Sequence, residues 1–219
     1  MTQFRKGGWL VFLATLALSA TPAWAAEDKF TGGAEVGFNI TTVGLGGANT
    51  AGIHASPKAG LIIGAFAKYT FTDVLALQPE FVYSQKHLKI YDGTNPNNFQ
   101  ANENLDVFEI PVLLRVNAIR PSTSAPGLYL VMGPAFSYKL RAHETKRIEN
   151  GKSQPDNNNN SDFNKAGYSI IGGAGITKGK WDVEGRYQAG LRSLLNNGPN
   201  DDSTAREHTF TMLLRWRFK

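Results

Sequence analysis

Thr211-Met212-Leu213-Leu214-Arg215-Trp216-Arg217-Phe218-Lys219, the last nine residues, carry two different surfaces on one extended segment. Read with period two, Met212, Leu214, Trp216 and Phe218 share one face. Thr211, Arg215, Arg217 and Lys219 share the other, which only Leu213 interrupts. Such a strand needs an apolar solvent on one side and a polar one on the other. A soluble sandwich meets that need with a core and water. A membrane barrel meets it the other way round, with lipid against the apolar face and a polar lumen inside.

The beginning of the chain bears on the choice. Arg5 and Lys6 precede an apolar run from Trp9 to Ala20, and Ala23-Trp24-Ala25 offers small residues where a signal peptidase cuts. The run falls short of the ~20 residues of a membrane-spanning helix. Residues 1–25 are therefore expected to be a cleaved secretory signal, and residues 26–219 a single barrel domain. Removal of Arg5 and Lys6 lowers the formal charge of this 219-residue chain from +5 to +3. An exported, mildly basic chain is not a nucleic-acid binder. With no cysteine, disulfides and thiolate metal sites are also out of play.

The alternation recurs seven more times. Segments are expected at about 33–42, 58–71, 74–88, 105–118, 128–142, 163–177, 181–192 and 206–219. The 163–177 segment is the weakest because of Gly172-Gly173-Ala174-Gly175. The 181–192 segment is the cleanest: Trp181, Val183, Gly185, Tyr187, Ala189 and Leu191 oppose Asp182, Glu184, Arg186, Gln188 and Arg192. Eight segments of this length suit tilted membrane strands, which need about 9–11 residues. The connections alternate in length: 44–57, 91–104, 144–162 and 194–205 are long, whereas 72–73, 119–127 and 178–180 are short or shorter. Long loops outside and short turns inside are the pattern of an outer-membrane barrel. The expected fold is thus an all-β, eight-stranded, antiparallel up-and-down transmembrane barrel whose closure leaves no free edge. A soluble lipocalin-like carrier is the rival fold. Outward aromatics fall near strand ends, with Phe71, Trp181, Trp216 and Phe218 toward the periplasm and Tyr83, Tyr138 and Phe210 toward the exterior, as in paired aromatic girdles.

Phe108-Glu109-Ile110-Pro111-Val112-Leu113-Leu114-Arg115, with 61–69 (LIIGAFAKY) and 77–84 (LQPEFVYS), resembles the PorT-type outer-membrane β-barrel family. The ending Arg215-Trp216-Arg217-Phe218 is similar to the aromatic-terminated signal read by barrel-assembly machinery, with Lys219 following it. The resemblance covers nearly all of residues 26–219. It implies a Gram-negative outer-membrane barrel and, as one function, a secretion-associated part in a larger envelope assembly.

The alternation places Glu35, Lys68, Glu80, Glu109, Arg115, Lys139, Arg141, Asp182, Glu184, Arg186, Arg192, Arg215 and Arg217 in the lumen. An eight-strand barrel is just wide enough to be filled by side chains, and buried charges must pair. A structural charge network is therefore expected, in preference to an ion or solute path. His54, His87, His143 and His208 lie at the external end without ligand spacing, so no metal site is expected. His54-Ala55-Ser56 and Glu207-His208 are weak hints of a nucleophile and its base, in a loop poorly suited to holding them. Val43-Gly44-Leu45-Gly46-Gly47 lacks the lysine and helix of a phosphate loop. The expected protein is non-enzymatic, without cofactor, acting as a structural or interaction component through its external loops. Its expected partners are outer-membrane lipid, the assembly machinery during insertion, and a possible envelope or secretion protein.

Overall fold

Alternating residues place β-branched and aromatic side chains on one face of each segment, and such residues favour extended backbone. In the computed structural model the described residues are 29–46, 53–92, 99–122, 125–149, 152–154, 164–193 and 204–218. They form β1 (Phe30–Gly46), β2 (Ile53–Thr70), β3 (Leu75–Asp92), β4 (Phe99–Ile119), β5 (Gly127–Glu149), β6 (Lys152–Gln154), β7 (Ala166–Lys178), β8 (Trp181–Gly190) and β9 (Thr204–Arg217). The sheet runs β4-β3-β2-β1-β9-β8-β7-β5, all pairs antiparallel, and a β4–β5 ladder closes it into an eight-stave barrel. The short β6 pairs only with the outer end of β5. The expected cleavable signal, residues 1–25, lies outside the described residues.

The burial pattern is inside out. Leu61 is 65% exposed and Met132 61%, whereas Arg215, Glu80, Glu184 and Asp182 are fully buried. Water would penalise the first group and a dry core the second, so the outer face is built for hydrocarbon. Among the described residues no helix is long and apolar enough to span a membrane; the strands do so. The aromatic residues of the outer face mark the limits. Trp181 stacks on Trp216 with centroids 6.1 Å apart, Trp216 meets Phe218 edge-on, and Tyr69 meets Phe71 edge-on, all at the short-turn end. Tyr138, Tyr168, Tyr187 and Phe210 project outward nearer the other end, and Tyr83, half-buried, shares that face. Eight residues of tilted strand separate Phe218 from Phe210, roughly 20 Å along the axis, close to the usual apolar band.

The strands do not stop at that band. β3 continues to Asp92, β4 begins at Phe99, and β5 runs to Glu149, so much of the segments expected to be loops at 44–57, 91–104 and 144–162 is ladder. In this outer sleeve the two faces exchange character. Val43, Leu88, Leu105, Val107, Ala142 and Ala205 form an apolar cluster inside, with Ala55 packed against it. Gln85, His87, Lys89, Asn102, Asn104 and Asp106 take the outer face. Above the lipid the barrel reverts to soluble patterning, because water now bathes its exterior. A search for outward apolar residues therefore ends the strands too early.

β7 owes its glycines to its neighbours. A Cβ on Gly175 would sit 2.3 Å from the Tyr129 ring, and one on Gly173 would lie 2.5 Å from the Gly185 carbonyl and 3.0 Å from Cγ of Arg186. Small residues on one stave make room for large ones on the next, as small barrels require. Gly175→Ala is expected to cost about 1–3 kcal/mol through overpacking, read as a lower urea midpoint in detergent-free vesicles. The tight β7–β8 turn uses Gly179 at φ 59°, a conformation that side-chain-bearing residues rarely adopt.

Candidate functional site

Among the described residues, ionisable side chains converge in the lumen. Every second residue of each stave points inward, so charges distant in sequence meet in layers. At the short-turn end, Arg115 donates from Nη1 to Asp182 Oδ2 at 2.8 Å and lays its guanidinium 3.4 Å from the Tyr129 ring centroid. Arg217 approaches Asp182 at 3.4 Å and donates to Thr177 Oγ1 at 2.7 Å. Lys68, half-buried, shares the inward register of this end of β2.

The centre is organised by Arg215. Its Nε donates to Glu35 Oε2 at 2.8 Å, Nη1 to Glu184 Oε2 at 2.5 Å, and Nη2 to Glu80 Oε1 at 2.6 Å. Three carboxylates from β1, β8 and β3 thus surround one guanidinium fork, a geometry that arginine's five planar donors allow. Arg186 doubles the link: it donates to both oxygens of Glu80, at 2.7 and 2.5 Å, and from Nε to Glu184. Gln78 donates to Glu80 Oε1 at 2.8 Å.

Above this cluster Ile62, Val82 and Leu213 make an apolar layer. Leu213, the residue that interrupts the polar face of the terminal segment, is therefore a lumen residue. One wall of the lumen, on β4, β5 and β7, is also apolar, with Leu113, Tyr129, Val131, Ala135 and Ile171. A void of about 10 Å³ separates the layers, the size of a single water. Higher still, Lys86 pairs with Glu109 and, at 2.5 Å, with Glu207; Thr209 donates to the same Glu207 oxygen at 2.8 Å. Asn39 donates to Ser84 at 2.9 Å.

Of the thirteen charges expected inside, two are not there. Arg141 is exposed: Asp106 pairs with Arg141 and Val107 with Lys139, so Leu140 is an extra residue that reverses the alternation beyond it. Arg192 lies past the end of β8, exposed at the outer mouth, where it donates to Asn164 Oδ1 and the Ala166 carbonyl, each at 3.2 Å. Lys139 is buried and lines a cavity of about 40 Å³ just beneath that mouth. Lys86, Tyr129 and Glu207 were missing from the expected set. Lys86 shares parity with Glu80 and Ser84, so the alternation was sufficient to find it.

The remaining candidates do not converge. His54 is exposed and stacks near Tyr91, His87 meets the Ala59 carbonyl at 2.6 Å, and His208 meets the Tyr187 hydroxyl at 2.7 Å. Among the described residues no group of three metal-ligating side chains forms. Glu207 turns inward to Lys86 while His208 turns outward to Tyr187, so the glutamate does not orient that imidazole. Of the Val43–Gly47 stretch, Val43 lies in the sleeve core and Gly47 lies outside the described residues.

No curated protein sequence matches the chain. Among solved structures it is similar to Ail, the attachment invasion locus protein of Yersinia pestis, crystallised with the heparin analogue sucrose octasulfate (11% identity, TM-score 0.45, 87% of this chain and 99% of that one). It is also similar to OprG of Pseudomonas aeruginosa (11% identity, TM-score 0.48, 86% and 94%). A third is Neisserial surface protein A (12% identity, TM-score 0.40, 84% and 97%). A family model described as the outer membrane protein beta-barrel domain matches residues 25–196, most of the sequence, and the chain belongs to this family of outer-membrane barrels.

Proposed function

We propose that this outer-membrane barrel is a non-enzymatic, non-conducting component of a Gram-negative envelope that works by presenting its outer sleeve and external connections to other molecules. The observation that carries this reading is the Arg215 cluster: one guanidinium bonded to glutamates of three staves, beneath the apolar layer of Ile62, Val82 and Leu213. An ion crossing the lumen would have to break those bonds and then shed its hydration at the apolar layer. The cations and anions inside are closely matched, so the interior offers fixed pairs in place of a selective path.

The expected result in planar bilayers is no discrete conductance from the purified barrel at neutral pH. Stable single-channel steps abolished by a bulkier residue at Leu213 would overturn the reading. Crosslinking in intact cells through the outward sleeve face, for example from cysteines placed at Asn104 and Lys89, is expected to capture an envelope partner. A secretion-associated role of the PorT kind is the narrower version of the proposal. It draws on the 108–115 stretch, and capture of secretion components in stoichiometric amount is its test.

A further inference from the structure

The outward face is uneven at one place. Between β8, β9, β1 and β2 a groove of about 380 Å³ opens toward the lipid, walled by Val36, Ile63, Leu214 and the stacked Trp181–Trp216 pair. Its floor is low because Ala34 pairs with Ala65 across β1 and β2. Glu35 and Gly64 border it through backbone, since the Glu35 carboxylate is turned inward onto Arg215. The groove is apolar throughout and lies at the short-turn end, in the half of the bilayer facing the periplasm.

Its neighbour is the β7–β8 turn, Lys178-Gly179-Lys180. Lys178 is paired with Trp181 in the ladder, and both lysines are exposed. The turn is held in place: Arg217 donates from Nη2 to the Gly179 carbonyl at 2.5 Å, and Lys180 gives its carbonyl to the Arg217 N–H at 2.9 Å. The backbone thus sets two exposed lysines beside the level of the tryptophans, which is where lipid headgroups begin. An apolar slot with cations at its rim has the shape and charge of one molecule that the bilayer supplies. We infer that the groove seats an anionic phospholipid of the inner leaflet, with an acyl chain on Val36, Ile63 and Leu214 and its phosphate on Lys178 and Lys180. The charge complementarity of Lys178 and Lys180 favours an anionic headgroup over an apolar protein face.

The chain supplies its own probe. Trp181 and Trp216 both line the groove, and replacing Trp9 and Trp24 with phenylalanine in the full chain leaves only their fluorescence. Reconstituted in vesicles with a minor fraction of brominated lipid, this chain should be quenched more by brominated phosphatidylglycerol than by brominated phosphatidylcholine. Two surface lysines acting on an anionic headgroup predict a preference of up to roughly thirtyfold. Lys178→Gln with Lys180→Gln should abolish the preference. Ala34→Leu, which fills the floor and leaves the charge unchanged, should lower it several-fold. Equal quenching by the two lipids, a preference that survives the double lysine variant, or one that Ala34→Leu leaves undiminished, would overturn the inference. So would tryptophans shielded from both lipids together with a crosslinked dimer, which would make a second copy the occupant.

Discussion

Arg215→Met is expected to destabilise the barrel by about 3–5 kcal/mol, the usual consequence of removing one partner from a buried ion cluster. The side chain is fully buried and bonded to Glu35, Glu80 and Glu184. Without it Arg186 still holds Glu80 and Glu184, but the Arg215 bond to Glu35 Oε2 is gone, and no water-rich surface lies nearby to solvate that carboxylate. The loss comes from stranded charge more than from the missing bonds. Arg215→Met combined with Glu35→Gln and Glu184→Gln should therefore regain much of what the single change loses. Arg215→Lys should regain little, because a point-like ammonium cannot span three carboxylates set around a planar fork. Urea-induced unfolding from vesicles, followed by tryptophan fluorescence and by heat-dependent gel mobility, measures all three. A single-variant loss below ~1 kcal/mol, the range of an exposed pair, would show that the cluster is hydrated and the lumen open.

Most of that cluster is legible in the sequence, because parity alone assigns faces in a barrel. Glu35, Glu80, Glu184, Arg186 and Arg215 all alternate with lipid-facing residues, so locating any one of them inside locates the rest of its strand. What parity could not supply was depth and partnership. Which carboxylates reach Arg215 depends on the stagger of β1, β3 and β8 around the barrel, and stagger is a property of the closed sheet. Parity also fails where the ladder does. The extra residue at Leu140 turns Arg141 outward, and nothing in Tyr138-Lys139-Leu140-Arg141-Ala142 announces it, because two alternations of opposite phase fit that stretch equally well. Arg192 was lost for a different reason: the apolar Leu191 extended the pattern past the last paired residue, Gly190.

The outer sleeve exposes a limit of a different kind. The rule that outward residues are apolar holds only while lipid surrounds the strand. Past Tyr83 the outward residues become Gln85, His87 and Lys89, and the apolar residue is Leu88, facing in. Period two persists with its sign reversed. A reading that follows alternation without fixing which face is apolar recovers the extra ladder on β3, β4 and β5, and it also finds the level at which the bilayer ends. The same reversal shifts the balance of stability: the Arg215 ion cluster and lipid below, and above them a water-excluding apolar cluster into which the Lys86–Glu207 pair is set.

That reversal yields the other large effect. Leu214→Arg is expected to cost about 2–4 kcal/mol, although Leu214 is an exposed residue and belongs to no buried cluster. In a soluble protein, charging a residue that is 43% exposed is close to neutral, within about 0.5 kcal/mol. Here Leu214 lies midway along β9 between Phe218 at one aromatic limit and Phe210 close to the other, and it pairs with the outward Val36 and Val183 on either side. At that depth the guanidinium must thin the bilayer or reach toward an interface. Asn104→Arg, on the outward face of the sleeve, should change stability by less than about 0.5 kcal/mol, because its surroundings are water. The two substitutions add the same charge to the same face of one barrel and differ only in height. Folding free energies measured in vesicles should separate them by at least ~1.5 kcal/mol. In detergent micelles, where the arginine finds water within a short reach, the gap should shrink. Equal effects in vesicles would mean that Leu214 does not face hydrocarbon, and the height assigned from Trp181, Trp216, Tyr138 and Phe210 would have to move.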